Sequence, residues 1–155
     1  MKDKNIYLIF LILFILITIL VNPFGNFPLN DDWTHTWTID NYLHSGNFIY
    51  PKWLSSNMYI PIIYGILLSK IFGFSFVILR FSNIFISFLS LILFFNILKE
   101  LKVKKLLSFL LTLVLYFNPI FFNLSYTFMG DIPALFFLLL SIYLFILGFN
   151  RDSNK

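Results

Sequence analysis

Two adjacent carboxylates, Asp31 and Asp32, stand at the exit of a long apolar run and immediately before Trp33. A third, Asp131, opens another apolar run, with Pro133 two residues on. Carboxylates at helix starts sit in the positive end of the helix dipole, beside free backbone N–H groups, and both effects favour the ionised form. An ionised carboxylate can take a proton from a sugar hydroxyl. The plainer reading makes the first pair a cap with a solvated neighbour, and Asp131 an N-cap contributing about 1 kcal/mol. As a site residue, Asp131 would instead position an acceptor, a cation or a phosphate opposite Asp31. Few charges are present overall, and ionisable groups at a membrane are costly and tend to be functional.

Other side chains could join them. His35 follows Asp31 by four residues, so on a helix it faces the same way and can assist it; the alternative is a plain surface histidine. His44 is nine residues from His35 and shares no helical turn with it, which argues against a paired metal site on one helix. Arg80 stands near the start of a long apolar run. It can snorkel to lipid headgroups, or its guanidinium can meet the phosphate of a lipid-linked donor. The chain has no Cys, so neither a disulfide nor a thiolate nucleophile is available. No cofactor is identified, and the sequence gives no support to a divalent cation.

These residues must be held by something, and composition says what. Of the 155 residues 59% are hydrophobic and only 12% charged, against about 45–50% and roughly 25% in a soluble domain. Apolar runs at 6–21, 76–98, 106–122 and 132–149 each approach the ~20 residues that cross a hydrocarbon core as a helix. Lys2 and Lys4 precede the first run, but no small-residue cleavage site follows it, so it reads as a retained anchor. Between the first two runs lies a polar, aromatic stretch. Residues 31–45 predict a short helix, with Asn30 as N-cap and Gly46 as stop. Trp33 and Trp37 then share one face, as in a helix lying along the headgroup belt. The expected architecture is an all-α membrane protein with about four transmembrane helices, plus one or two surface helices in a first outer loop over 23–75.

The segment 60–74 is the ambiguous one. As a helix it reaches about 22 Å, and it either crosses or lies on the surface. Charge favours the surface. Of the 11 Lys and Arg residues, all but Lys52, Lys70 and Arg80 fall on the cytoplasmic side if the segment does not cross, as the positive-inside rule asks. The loops holding Asp31 and Asp131 then share the outer face, the amino terminus and the polar tail 150–155 are cytoplasmic, and the location is the plasma membrane. The net charge of +4 sets topology in this reading and does not point to nucleic acid.

The order of these features resembles the amino-terminal part of the GT-C class of membrane glycosyltransferases, in the bacterial branch related to protein O-mannosyltransferases and aminoarabinose transferases. The likeness is carried by Asp31-Asp32 followed by Leu43-His44-Ser45-Gly46-Asn47-Phe48. It continues in Pro61-Ile62-Ile63-Tyr64 running to Lys70-Ile71-Phe72-Gly73, in Arg80-Phe81, and in Tyr126-Thr127-Phe128-Met129-Gly130-Asp131-Ile132-Pro133. The resemblance implies an inverting transfer from a polyprenyl-phosphate sugar to a lipid, glycan or protein acceptor on the outer face. It gives Asp31 the role of general base, Asp131 that of the second acidic position and Asp32 a supporting one, with Arg80 offsetting leaving-group charge. Some relatives hold a metal through an acidic residue just before the Pro of the second surface helix. Tyr59 and Ile60 stand there in this chain, so no metal ligand carries over. The family core has more spans than four, so residues 1–149 read as a front portion with little activity alone. A small non-catalytic multi-pass accessory protein is the competing reading, and an ion or solute pathway a third.

Overall fold

The computed structural model describes residues 3–52 and 59–152. Lys2, Lys155, the side chain of Arg151 and part of the first loop, on which the charge argument also drew, lie outside what is described. The helices are α1 (Asp3–Val21), α2 (Asp32–Ser45), α3 (Tyr59–Phe72), α4 (Phe76–Glu100), α5 (Lys105–Tyr116), α6 (Pro119–Ser125) and α7 (Asp131–Asp152). The described chain is an all-α membrane protein. Three helices, α1, α4 and α7, are long and apolar enough to cross a bilayer.

The third apolar run, 106–122, is not one straight helix. It breaks into α5 and α6, which meet at a 66° bend. Asn118 precedes Pro119, and a residue before proline is pushed out of the helical region. Asn118 is extended at ψ 125°, and its side chain accepts the N–H groups of Ile120 and Phe121, restarting the helix with Pro119 in its first turn. The pair α5–α6 is therefore either one broken span or a re-entrant turn.

The long central helix α4 packs against α7, α5 and α3. Serines and threonines line its contacts: Ser87, Ser90, Ser108 and Thr112 are all fully buried. Each hydroxyl reaches a carbonyl in its own preceding turn, as Thr112 does to Ser108 at 2.8 Å and Ser90 to Ile86 at 2.9 Å. In hydrocarbon a hydroxyl must find a partner locally, and small residues let helix backbones approach closely. Aromatic rings fill the remaining space, with Phe10 set edge-on to Phe95 and Phe14 stacked on Tyr116.

Neither α2 nor α3 has the length of a span. Each has 14 residues, about 21 Å, and they pack on each other through Ile39, Ile62 and Ile66, together with Leu79 and Phe128. Gly65 makes that approach possible, because a Cβ there would lie 2.3 Å from the Ile39 side chain. Gly46 ends α2 in the left-handed conformation at φ 71°, as expected. The start of α2 differs: Asp31, not Asn30, occupies the N-cap position and makes no side-chain capping bond, while Asn30 is left-handed at φ 58°. At the other end of the chain α7 continues to Asp152, so the polar tail begins inside a helix.

Candidate active site

The first turns of α4 organise the end of the bundle where the carboxylates lie. Arg80 is 1% exposed. Its guanidinium is turned inward, not snorkelled: Nη1 donates to the carbonyls of Pro23 (2.7 Å) and Gly25 (2.9 Å), and Nη2 to that of Phe27 (2.7 Å). Asn26 adds to this, accepting from Ser75 Oγ and from the Phe76 N–H. The loop after α1 is thereby folded onto the start of α4.

One turn further along α4, Asn83 does the same for the second loop. Its Nδ2 donates to the carbonyls of Thr127 and Met129, both at 2.8 Å, fixing the approach to Asp131. This residue was not singled out in the sequence. The available signal was its spacing, three residues after Arg80 within an apolar run, since polar side chains in such a run face the protein interior.

Asp32 joins the two loops. It is 1% exposed, with Oδ1 accepting the Leu29 N–H at 2.7 Å and Oδ2 accepting the Phe128 N–H at 3.3 Å. Burial pushes its carboxyl above the usual aspartate range. The Phe128 and Leu29 bonds and the charge of Arg80 act the other way, and the like charge of Asp31 adds to the rise.

Asp31 and Asp131 are different in kind. Both are exposed, at the starts of α2 and α7, and among the described residues neither carboxylate has a hydrogen-bond partner. His35 is buried at 1% exposure rather than on the surface. The other polar side chains on the buried face of α2 are satisfied: Thr36 bonds to the Asp32 carbonyl and Thr38 to that of Thr34. The two ring nitrogens of His35 have no partner. Burial pushes the imidazole below its ordinary pKa, while the charges of Asp131 and then Asp31 pull it back up. The charges of Asp31 and Asp131 thus both act on His35, whereas Asp32 and Arg80 are taken up in holding the loops. His44 is at the far end of α2, beside Asp40 at 3.3 Å. Among the described residues no three His, Cys, Asp or Glu side chains are grouped so that they could hold a metal ion.

Beside this end, an apolar cleft of about 390 Å³ runs between α1 and α4, lined by Leu11, Phe14, Phe24, Phe81 and Phe85 among others.

Compared with protein families, residues 52–155 match the dolichyl-phosphate-mannose-protein mannosyltransferase family. The chain belongs to this family. It is a multi-pass, membrane-embedded member of a glycosyltransferase family, as the order of its motifs suggested. The mannosyltransferase match takes in Arg80, Asn83 and Asp131 but starts beyond α1 and α2, so Asp31, Asp32 and His35 lie outside it. No curated protein and no solved structure matches the chain.

Proposed function

We propose that this mannosyltransferase-family chain carries the acceptor-side carboxylates for an inverting transfer of a sugar from a polyprenyl-phosphate donor to an acceptor on the outer face of the plasma membrane. Asp31 is the general base: it removes the proton of the acceptor hydroxyl as that oxygen attacks the anomeric carbon. The lipid phosphate departs with the bonding electron pair, and a phosphate needs little protonation to leave. Asp131 is the second carboxylate, holding the acceptor on the opposite side. The donor's prenyl chain is assigned to the apolar cleft between α1 and α4. Arg80 takes part indirectly, since the contact with donor phosphate read from the sequence would require it to release Pro23, Gly25 and Phe27.

The observation that carries this reading is the accessibility of two unpaired carboxylates, from loops a hundred residues apart, whose charges both act on one buried histidine. A base must be free of other partners and reachable by substrate, and Asp32 is neither. The test is transfer of labelled mannose from dolichyl-phosphate-mannose into the protein, glycan or lipid fraction, using the polypeptide as the cell makes it. Asp31→Asn is expected to lower transfer by about 10²-fold or more with membrane insertion unchanged. Near-normal transfer by that variant removes Asp31 as the base.

A further inference from the structure

A second cavity, of about 400 Å³, opens between the end of α1, the residues just before α2, and α6 with the turn that follows it. It shares no residue with the apolar cleft between α1 and α4, and its wall differs in kind. Leu29, Phe122 and Tyr126 supply apolar and aromatic surface, while Asn30 and Asn123 each bring a side-chain amide. Both asparagines are exposed, and among the described residues neither amide has a hydrogen-bond partner. Asn30 holds a left-handed backbone at φ 58°. Asparagine is tolerated there because its short side chain can bond locally, and glycine fits without steric cost. The Asn30 amide makes no such local bond, so it is left to meet a ligand. The aromatic part of the wall is held in place. The Tyr126 hydroxyl lies 3.1 Å from that of Tyr116 and 3.3 Å from Thr18 Oγ1, and its ring packs on Phe122 with centroids 5.2 Å apart.

We infer that this cavity seats a neutral saccharide ring of the acceptor. A side-chain amide presents two N–H donors and a carbonyl acceptor, which match neighbouring hydroxyls that both donate and accept. Aromatic faces carry negative potential and suit the weakly positive C–H face of a pyranose. A cavity of this size, mostly apolar with a few placed polar groups, is the usual form of a small-ligand site. None of the described residues in its wall is charged, so a donor phosphate finds no counter-ion here. A bounded cavity also suits a ring better than an extended peptide. Asn30 is peptide-bonded to Asp31, their Cα atoms about 3.8 Å apart. Thr127, in the same wall, precedes Phe128, whose N–H is held by Asp32. A ring seated here lies beside the start of α2. Its role as acceptor rests on the assignment of Asp31 as base; saccharide binding itself does not. Asn30 and Asn123 are binding residues, and no bond is made or broken on them.

The test is saturation-transfer NMR of methyl mannopyranoside, glucopyranoside and galactopyranoside with the full polypeptide in nanodiscs. At least one is expected to bind. Asn123→Ala and Asn30→Gly, the second of which keeps the left-handed backbone, are each expected to weaken it about fivefold or more with the thermal midpoint retained. Binding by none of the three, or binding unchanged in both variants, overturns the site. Displacement of the pyranoside by dolichyl-phosphate-mannose gives the cavity to the donor sugar and overturns the acceptor role, and displacement by a serine-rich peptide gives it to a polypeptide and does the same. In mannose transfer to the bound pyranoside, Asn123→Ala is expected to raise KM with kcat little changed; an unchanged KM counts against the site. Asp31→Asn is expected to bind the pyranoside as the wild type does and to fail in transfer. If it binds and transfers normally, the base assignment falls and the acceptor role with it, while saccharide binding stands.

Discussion

The Oδ2 atom of Asp32 accepts the backbone N–H of Phe128 at 3.3 Å across 96 positions of sequence. That single bond puts the loop after α1 and the loop before α7 at one end of the bundle. With Oδ1 on the Leu29 N–H, Asp32 connects what Arg80 and Asn83 hold separately. Asp32→Ala would leave two N–H groups without their acceptor, at a cost of about 1–3 kcal/mol each. The expected result is a lower thermal midpoint in detergent and faster hydrogen exchange at Leu29 and Phe128, with α5 unaffected.

Arg80 and Asn83 hold neighbouring loops from one face of α4, so their loss should be felt in different places. Arg80→Lys keeps the charge but not the planar fork that reaches three carbonyls. It should expose the bond segment from Pro23 to Phe27 to proteolysis, with a cost on the order of 3 kcal/mol. Asn83→Ala should loosen Thr127 to Met129 instead, by about 1–3 kcal/mol. Identical cleavage patterns in the two variants would contradict this division.

Protonation acts on the site with a definite sign. The pKa of His35 is lowered in the fold from 6.5, so below that value the unfolded chain takes up a proton that the folded chain resists. Its contribution to stability is present above 6.5 and is lost as pH falls through the depressed value. Asp32 has the opposite sense: its pKa is raised from 3.8, so its contribution is present at low pH and is lost as pH rises through the raised value. Melting curves between pH 7 and pH 5 should show a loss of stability on acidification in the wild type, and His35→Phe should reduce that loss.

Gly65 is where α2 and α3 come closest, and a side chain there meets Ile39 at once. Gly65→Val should cost about 1–3 kcal/mol through overpacking and should be read locally, as increased protease access to α2. Gly73, with nothing near its Cβ position, is not expected to respond through packing.

The chain lacks cysteine, so single cysteines at positions 31, 103 and 131 can be labelled without background. Positions 31 and 131 should react from the same side of the membrane and position 103 from the other. The helix between the loop ends, α4, has 25 residues and reaches about 37 Å. Reaction at 103 and 131 from one side would break the arrangement around His35.

Composition and the apolar runs by themselves determined an all-α membrane protein, because a backbone in hydrocarbon has to satisfy its own hydrogen bonds and the run lengths follow from bilayer thickness. The positions of Asp31 and Asp131 at helix starts and the stop at Gly46 were also legible, since dipole and capping are local properties of a sequence. Which carboxylate of the adjacent pair is free was not legible. Asp31 and Asp32 differ by one residue on a helix, about 100° of rotation, and only the arrival of Phe128 from 96 positions away decides that Asp32 is enclosed. The inward turn of Arg80 and the part played by Asn83 have the same cause: each depends on which loop folds over the first turns of α4, and that, like the burial of His35, is a property of the assembled bundle.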